Sequence, residues 1–136
     1  MYPEMSLEEA QHYLLPQEDV IGSYVVENPE THKITDFISF FHIQSSVIDN
    51  KKYDTFTATY CYYYANTTTS LKDLLADGII AAKNEGGDVF NALEVMNNAT
   101  VFDDLKFARG DGTLHYYFYN WRLNPIKPSE MAVILP

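Results

Sequence analysis

The run from Thr55 to Ala65, TFTATYCYYYA, constrains the fold more than any other stretch of this sequence. It is almost wholly β-branched and aromatic, so it reads as a strand. Alternation places Phe56, Ala58, Tyr60, Tyr62 and Tyr64 on one face and Thr57, Thr59, Cys61 and Tyr63 on the other. Both faces carry bulky groups, which predicts a central strand covered on both sides. A chain built around such a strand needs helices or further chain on each face of its sheet.

The neighbouring segments supply those parts. Val20 to Glu27 and Lys33 to Ile43 are strand-like and separated by Asn28-Pro29-Glu30-Thr31-His32, which predicts a hairpin with a five-residue loop. Gln44 to Lys52 reads as a polar loop with a turn signal at Asp49-Asn50. Ser6-Leu7-Glu8-Glu9 is a capping box that opens a short helix running to about Leu15 and stopped by Pro16. Ser70 to Asn84 is the clearest helix, with Leu71, Leu74, Leu75, Gly78, Ile79 and Ala82 at helical spacing and Gly86-Gly87 closing it. Short helical stretches are expected at about Asn91 to Met96 and around Thr100 to Phe107. These elements predict an α/β (α+β) fold with a mixed, mostly antiparallel sheet and packed helices, in one domain spanning 1–136.

Composition narrows the function classes. The net charge of −10 repels phosphate backbones and anionic membranes, so nucleic acid and membrane surfaces are disfavoured; a cationic partner and an acidity that only maintains solubility both fit it. Eleven tyrosines exceed what a core of this size needs, so some are expected to line a groove. Cys61 is the only cysteine, which excludes an internal disulfide or a multi-thiolate zinc site and fits a reducing, cytoplasmic setting. No charged-then-apolar leader and no long apolar run is present, so secretion and membrane spanning lack support. Asn66-Thr67-Thr68 and Asn98-Ala99-Thr100 are then chance matches to the glycosylation triplet.

Competing chemistries lack their signatures. His12, His32, His42 and His115 are not at metal-ligand spacing, so no metal is expected. Ser45, His42 and Asp36 make a hydrolase triad on paper only, and no G-x-S-x-G elbow or phosphate-cradling glycine loop occurs.

The stretch Lys106 to Trp121, KFARGDGTLHYYFYNW, holds an acidic turn between Gly110 and Gly112 and then a strand-like aromatic run. The glycines permit a sharp turn and leave the Asp111 carboxylate unshielded. A hairpin turn feeding a buried aromatic strand and a ligand-facing turn both fit. Beyond it, Pro125 and Pro128 keep the tail extended before the apolar run Met131 to Leu135, which is expected to pack inward and bring the terminal carboxylate of Pro136 with it.

KFARGDG followed by LHYYFYNW resembles the C-terminal signature of eukaryotic N-myristoyltransferase (glycylpeptide N-tetradecanoyltransferase), K-F-G-x-G-D-G and an aromatic strand. TDFISF at Thr35 to Phe40 and DVFNAL at Asp88 to Leu93 match in the same order, so the resemblance covers essentially the whole chain. Ala108 stands where the family pattern has glycine, and Tyr64 replaces an asparagine expected after the tyrosine cluster.

The resemblance implies the peptide-binding C-terminal half of an acetyltransferase-like (GNAT-like) enzyme that joins tetradecanoate from myristoyl-CoA to an N-terminal glycine. It implies that the carboxylate of Pro136 is the base and that Ser45, Tyr60, Asn91, Asp111, Gly112, Leu114 and Leu135 contact the peptide. Family members more often end in leucine or glutamine, and the proline ring fixes φ and removes an amide donor at that position. A free α-carboxyl titrates near ~3.5 and an α-amine near ~8, so burial beside Ile134 and Leu135 would improve the match by raising the carboxyl. Partners implied are peptides or proteins with N-terminal glycine and the missing N-terminal half, which holds most of the myristoyl-CoA site and the oxyanion-stabilising amides. The 136 residues by themselves are expected not to catalyse. Two other readings stay open at this stage: a non-catalytic module that holds peptides or a partner protein in an acidic, tyrosine-rich groove, and a structural domain whose aromatics are simply core.

Overall fold

A computed structural model describes residues 1–49 and 52–134. In chain order the elements are α1 (Leu7–Leu14), β1 (Ile21–Glu27), β2 (Ile34–Ser46), β3 (Thr55–Ala65), α2 (Leu71–Asn84) and β4 (Val89–Asn91), followed by 3-10 turns at Asn98–Thr100 and Pro128–Glu130. The described residues fall into two compact units. One comprises Glu4–Leu93 with Ile134 joined to it, and the other comprises Met1–Pro3 with Glu94–Val133.

The larger unit is a four-stranded sheet in the order β1-β2-β3-β4, antiparallel at β1/β2 and β2/β3 and parallel at β3/β4. This is the mixed, mostly antiparallel sheet expected. β3 occupies the span predicted for it and lies between β2 and β4, with Ala58, Thr59, Cys61 and Tyr62 buried. Phe40, Ile38, Leu74, Leu75 and Ala82 join them in the core at 2% exposure or less.

Helix α2 packs on the face of β2 that carries Ile38. A Cβ at Gly78 would stand 2.5 Å from Ile38 Cδ1, so this position needs glycine to let helix and sheet meet. Its N-terminus is capped by the Ser70 hydroxyl, which accepts from the Asp73 amide at 3.1 Å. Its C-terminus is a Schellman motif: Gly87 N donates to Ala82 O at 2.9 Å and Gly86 N to Lys83 O at 3.1 Å, with Gly86 at φ +93°. The capping box of α1 is also present, Ser6 and Glu9 each accepting from the other's amide.

The sheet departs from simple alternation at one place. Up to Phe40↔Cys61 the β2/β3 register is regular, but Ile38 pairs with Tyr64, so Tyr62 and Tyr63 together oppose Ser39. This β-bulge carries Tyr64 over to the face of Cys61, against the alternation expected from the sequence. Ser39 Oγ holds it by donating to Tyr63 O at 2.8 Å and accepting from Tyr63 N at 3.1 Å.

Other expectations are corrected. No helix forms over the Asn91 to Met96 span where one was expected: Asn91 ends a short strand, Val89–Asn91, whose backbone pairs with Ala58, Thr59 and Tyr60 while Asp88 accepts from Thr57 N at 2.9 Å, and the residues after it are irregular. The expected helix around Thr100 to Phe107 is reduced to the 3-10 turn at Asn98–Thr100 and successive turns. β2 runs on to Ser46, shortening the loop, and Asn50 of the Asp49-Asn50 turn signal is outside the described residues. The aromatic run after Gly112 forms no strand and is largely exposed, with Tyr119 at 97% and Trp121 at 76%. The smaller unit holds no strand among its described residues, so this run finds no ladder within it.

Candidate functional site

Register decides which candidate residues meet. Tyr60 on β3 stands opposite Phe41 on β2 and opposite Asn91 on β4. Ser45 stands opposite Phe56, four residues further along the same antiparallel pair. Paired residues share a face, and no bulge intervenes between Phe41 and Ser45. Ser45, Tyr60 and Asn91 therefore project from one face of the sheet, the face away from α2. Tyr60 and Asn91 are neighbours, and Ser45 is displaced by roughly 13 Å along the strand. All three are half-buried. The Tyr60 ring lies flat on Phe41, centroids 5.2 Å apart and 10° from parallel, which fixes the direction of its hydroxyl.

The tail enters the larger unit at Ile134, which is buried. Its N–H donates to Tyr63 Oη at 3.2 Å and its carbonyl accepts from the same hydroxyl at 3.4 Å. Tyr63 is three residues from Tyr60 on β3. The inward packing expected of the apolar tail thus holds at Met131 and Ile134, 6% and 5% exposed. Leu135 and Pro136 lie outside the described residues.

In the smaller unit, Asp111, Gly112 and Leu114 lie on an exposed, irregular segment. Just beyond them the Tyr116 hydroxyl donates to Val133 O at 2.7 Å, and Met96 N donates to Met131 O at 2.9 Å. Ala132 N donates to Met1 O at 2.7 Å, so the chain's first residue lies alongside the tail.

Two polar networks escaped the sequence reading. Asp36 is buried, and its Oδ1 accepts from the amides of Thr67, Thr68 and Thr69 at 2.7, 2.9 and 3.0 Å. Its Oδ2 accepts from the hydroxyls of Thr35, Thr68 and Thr69 at 2.7, 2.6 and 3.0 Å. Burial works to raise this carboxyl, but the Thr68 and Thr35 hydroxyls and the Thr69 and Thr68 amides outweigh it and hold it well below the usual carboxylate range. The run Thr67-Thr68-Thr69 just before the Ser70 cap was the available signal.

The second network joins His42 Nδ1 to Thr59 Oγ1 at 2.8 Å and His42 Nε2 to Glu85 Oε2 at 3.1 Å, with Tyr24 Oη donating to Glu85 Oε1. The hydrogen bond to Glu85 is the main cause that pushes the Tyr24 phenol up, followed by burial. A polar hollow of about 250 Å³ lined by Asp19, His42, Gln44, Thr57 and Glu85 adjoins this network, on the face opposite Tyr60 and Asn91.

These placements dispose of the competing chemistries. Ser45 and His42 point to opposite faces of β2 and Asp36 is consumed by threonines, so they form no triad. Burial pushes the Cys61 thiol up to about 12, which removes it as a nucleophile. Among the described residues no group of His, Cys, Asp and Glu could hold a metal ion, and no helix is long and apolar enough to cross a membrane.

A mixed four-stranded sheet with helix α2 packed on one face and Ile134 of the tail buried beside β3 defines an α+β domain. Comparison with known proteins makes it specific. The family described as myristoyl-CoA:protein N-myristoyltransferase, C-terminal domain, matches residues 1–133, and the chain belongs to that family. Glycylpeptide N-tetradecanoyltransferase 1 of Arabidopsis thaliana is 49% identical over 128 residues, covering 93% of this chain and 30% of the relative. A probable glycylpeptide N-tetradecanoyltransferase of Caenorhabditis elegans is 45% identical over 130 residues, covering 96% of this chain and 29% of the relative. The fold agrees with a crystal structure of Saccharomyces cerevisiae N-myristoyltransferase with bound myristoyl-CoA, at TM-score 0.72 and 37% identity over 79% of this chain and 31% of that one. The chain thus spans about 30% of the length of these relatives.

Proposed function

We propose that residues 1–136 act as the peptide-binding C-terminal domain of a cytoplasmic, GNAT-like glycylpeptide N-tetradecanoyltransferase. The family match over residues 1–133 carries this reading. Tyr60 and Asn91 offer adjacent polar groups to an extended peptide, with Ser45 further along the same face. The contacts of Asp111, Gly112, Leu114 and Leu135 with the peptide rest on the family resemblance alone. The net charge of −10 favours basic peptides.

In this reading the terminal carboxylate of Pro136 takes a proton from the glycine ammonium. The freed amine adds to the thioester carbonyl of myristoyl-CoA, the C–S bond breaks, coenzyme A leaves as its thiol and the amide bond forms. Ile134, the last described residue, is buried, which supports an inward course of the chain up to that point. The acyl-CoA pocket and the oxyanion donors belong to the N-terminal half, since a 14-carbon chain needs deep enclosure at roughly 0.8 kcal/mol per buried CH₂.

The test is mass spectrometry of a basic, glycine-initiated peptide incubated with myristoyl-CoA and this chain, with and without an N-terminal half of the family in trans. Acylated peptide only in the complete mixture is the expected result. Peptide binding to this chain without acylation in any mixture would favour the non-catalytic module.

A further inference from the structure

We propose that the polar hollow on the α2 face of the sheet is a binding site for a small primary alkylammonium ion, separate from the peptide face. Its floor is built from two cross-strand pairs of β2 and β3, His42↔Thr59 and Gln44↔Thr57. The hollow, about 250 Å³, opens at the C-terminal end of α2, with Asp19 and the C-cap residue Glu85 as its walls. Two carboxylates thus stand in the lining, and no lysine or arginine does. The carbonyl end of a 14-residue helix adds to the negative potential. Among the described residues no group could hold a metal ion, so an organic cation is the class that fits.

The Glu85 carboxylate is held in place by the fold. Tyr24 Oη donates to its Oε1 and His42 Nε2 meets its Oε2 at 3.1 Å. The His42 side chain, 4% exposed, is fixed from its other nitrogen by Thr59 Oγ1 at 2.8 Å. A Cβ at Gly22 would stand 2.8 Å from Glu85 Oε2, so the bare backbone of β1 leaves the carboxylate its room. The other acceptors are separate: the side chains of Asp19, Gln44 and Thr57 hydrogen-bond to nothing among the described residues. An ammonium has three diverging donors that suit acceptors on several residues, whereas a guanidinium fork wants two parallel sites on one carboxylate, and each Glu85 oxygen already has a partner. A second hollow, whose lining includes Pro16 and Ile21, shares Asp19 and Glu85 with the first and offers a course for an apolar stem. Hollows of this size are small beside drug-sized pockets, which limits the ligand to a few heavy atoms.

The test is an NMR titration of the chain with n-butylammonium chloride near about pH 7, where amine and carboxylates are charged, with n-butanol, methylguanidinium chloride and sodium chloride as controls. No acyl transfer is involved, so the outcome is independent of the proposed function. The expected result is saturable shifts at the His42 ring, the Gln44 side-chain amide and the Thr57 methyl, with a Kd of about 1 mM or tighter and no shift at Tyr60 or Asn91. n-Butanol and sodium chloride should not reproduce them, and methylguanidinium should bind at least about fivefold more weakly. Asp19 is exposed with φ +60°, a conformation that asparagine also accepts, so Asp19→Asn is expected to keep the fold and weaken n-butylammonium about tenfold. Thr57→Val keeps the side-chain shape, removes the hydroxyl and is expected to weaken it about fivefold. Shifts that grow linearly to about 50 mM, or that sodium chloride matches, would report ionic screening alone and overturn the site. Undiminished binding in both variants, or shifts confined to Tyr60 and Asn91, also overturns it. Methylguanidinium binding as tightly as n-butylammonium overturns the choice of an ammonium.

Discussion

Asp36 accepts from Thr68 twice, from the backbone amide at 2.9 Å on Oδ1 and from the hydroxyl at 2.6 Å on Oδ2. With Thr35, Thr67 and Thr69 completing the set, one buried carboxylate organises the turn that delivers the chain from β3 into α2. An amide cannot replace it, because half of its polar atoms donate where the threonines also donate. Asp36→Asn is expected to lower the Tm at pH 7 by about 5 °C or more, measured by circular dichroism. The sign of the pH dependence follows from the depressed folded-state carboxyl. Its contribution is present above the unfolded value near ~3.9 and is lost as pH falls through the much lower folded value. The gap between wild type and Asp36→Asn should therefore be widest at neutral pH and shrink on acidification below about pH 4. A gap that stays constant down to strongly acidic pH would refute the assignment.

Gly86 ends α2 at φ +93° with open space around its α-carbon. Alanine there would meet no neighbour, so any penalty comes from the backbone alone. Gly86→Ala is expected to cost about 1 kcal/mol in urea denaturation with an unchanged m value. A neutral result would mean that the left-handed cap does not persist in solution.

Much of this fold was legible because local chemistry and tertiary demand agree. The limits of β3, the capping box at Ser6 and the Ser70 and Gly86 ends of α2 are each set by residues within a few positions. The failures lie where the deciding partner is distant in sequence. Val89–Asn91 is too short to carry a period, and its strand state comes from Ala58–Tyr60. The bulge at Tyr62-Tyr63 depends on Ser39 of another strand, so neither the face of Tyr64 nor the aim of Tyr63 could be read from alternation. The aromatic run after Gly112 has strand propensity, which alone does not make a strand. Of the site, the adjacency of Tyr60 and Asn91 required the parallel register, although each residue could be named beforehand.

Cys61 is 2% exposed, and burial holds its thiol up at about 12. The thiolate is the reacting species, so the folded chain at pH 8 should resist iodoacetamide and incorporate it readily in urea. Mass spectrometry distinguishes the two. Rapid labelling of the native chain would show that the sheet opens at β3.

Tyr60 joins two functions that substitution can separate. Its ring packs flat on Phe41, while its hydroxyl and the side chain of Asn91, opposite it on β4, are the groups that the proposed function assigns to a peptide. Tyr60→Phe keeps the stacked ring, so the Tm should stay within a few degrees of wild type, whereas Tyr60→Ala loses the contact and should melt earlier. In the complete acylation mixture, Tyr60→Phe is expected to raise the peptide KM about fivefold, the effect of one net hydrogen bond near 1 kcal/mol. Asn91→Ala should act in the same direction. Because the two residues stand opposite each other across β3 and β4, their effects should not add, and the double variant Tyr60→Phe/Asn91→Ala should fall short of the product of the single ones. Strict multiplicativity would mean that the two side chains contact separate parts of the peptide, and an unchanged KM in all three would remove this face from the binding site.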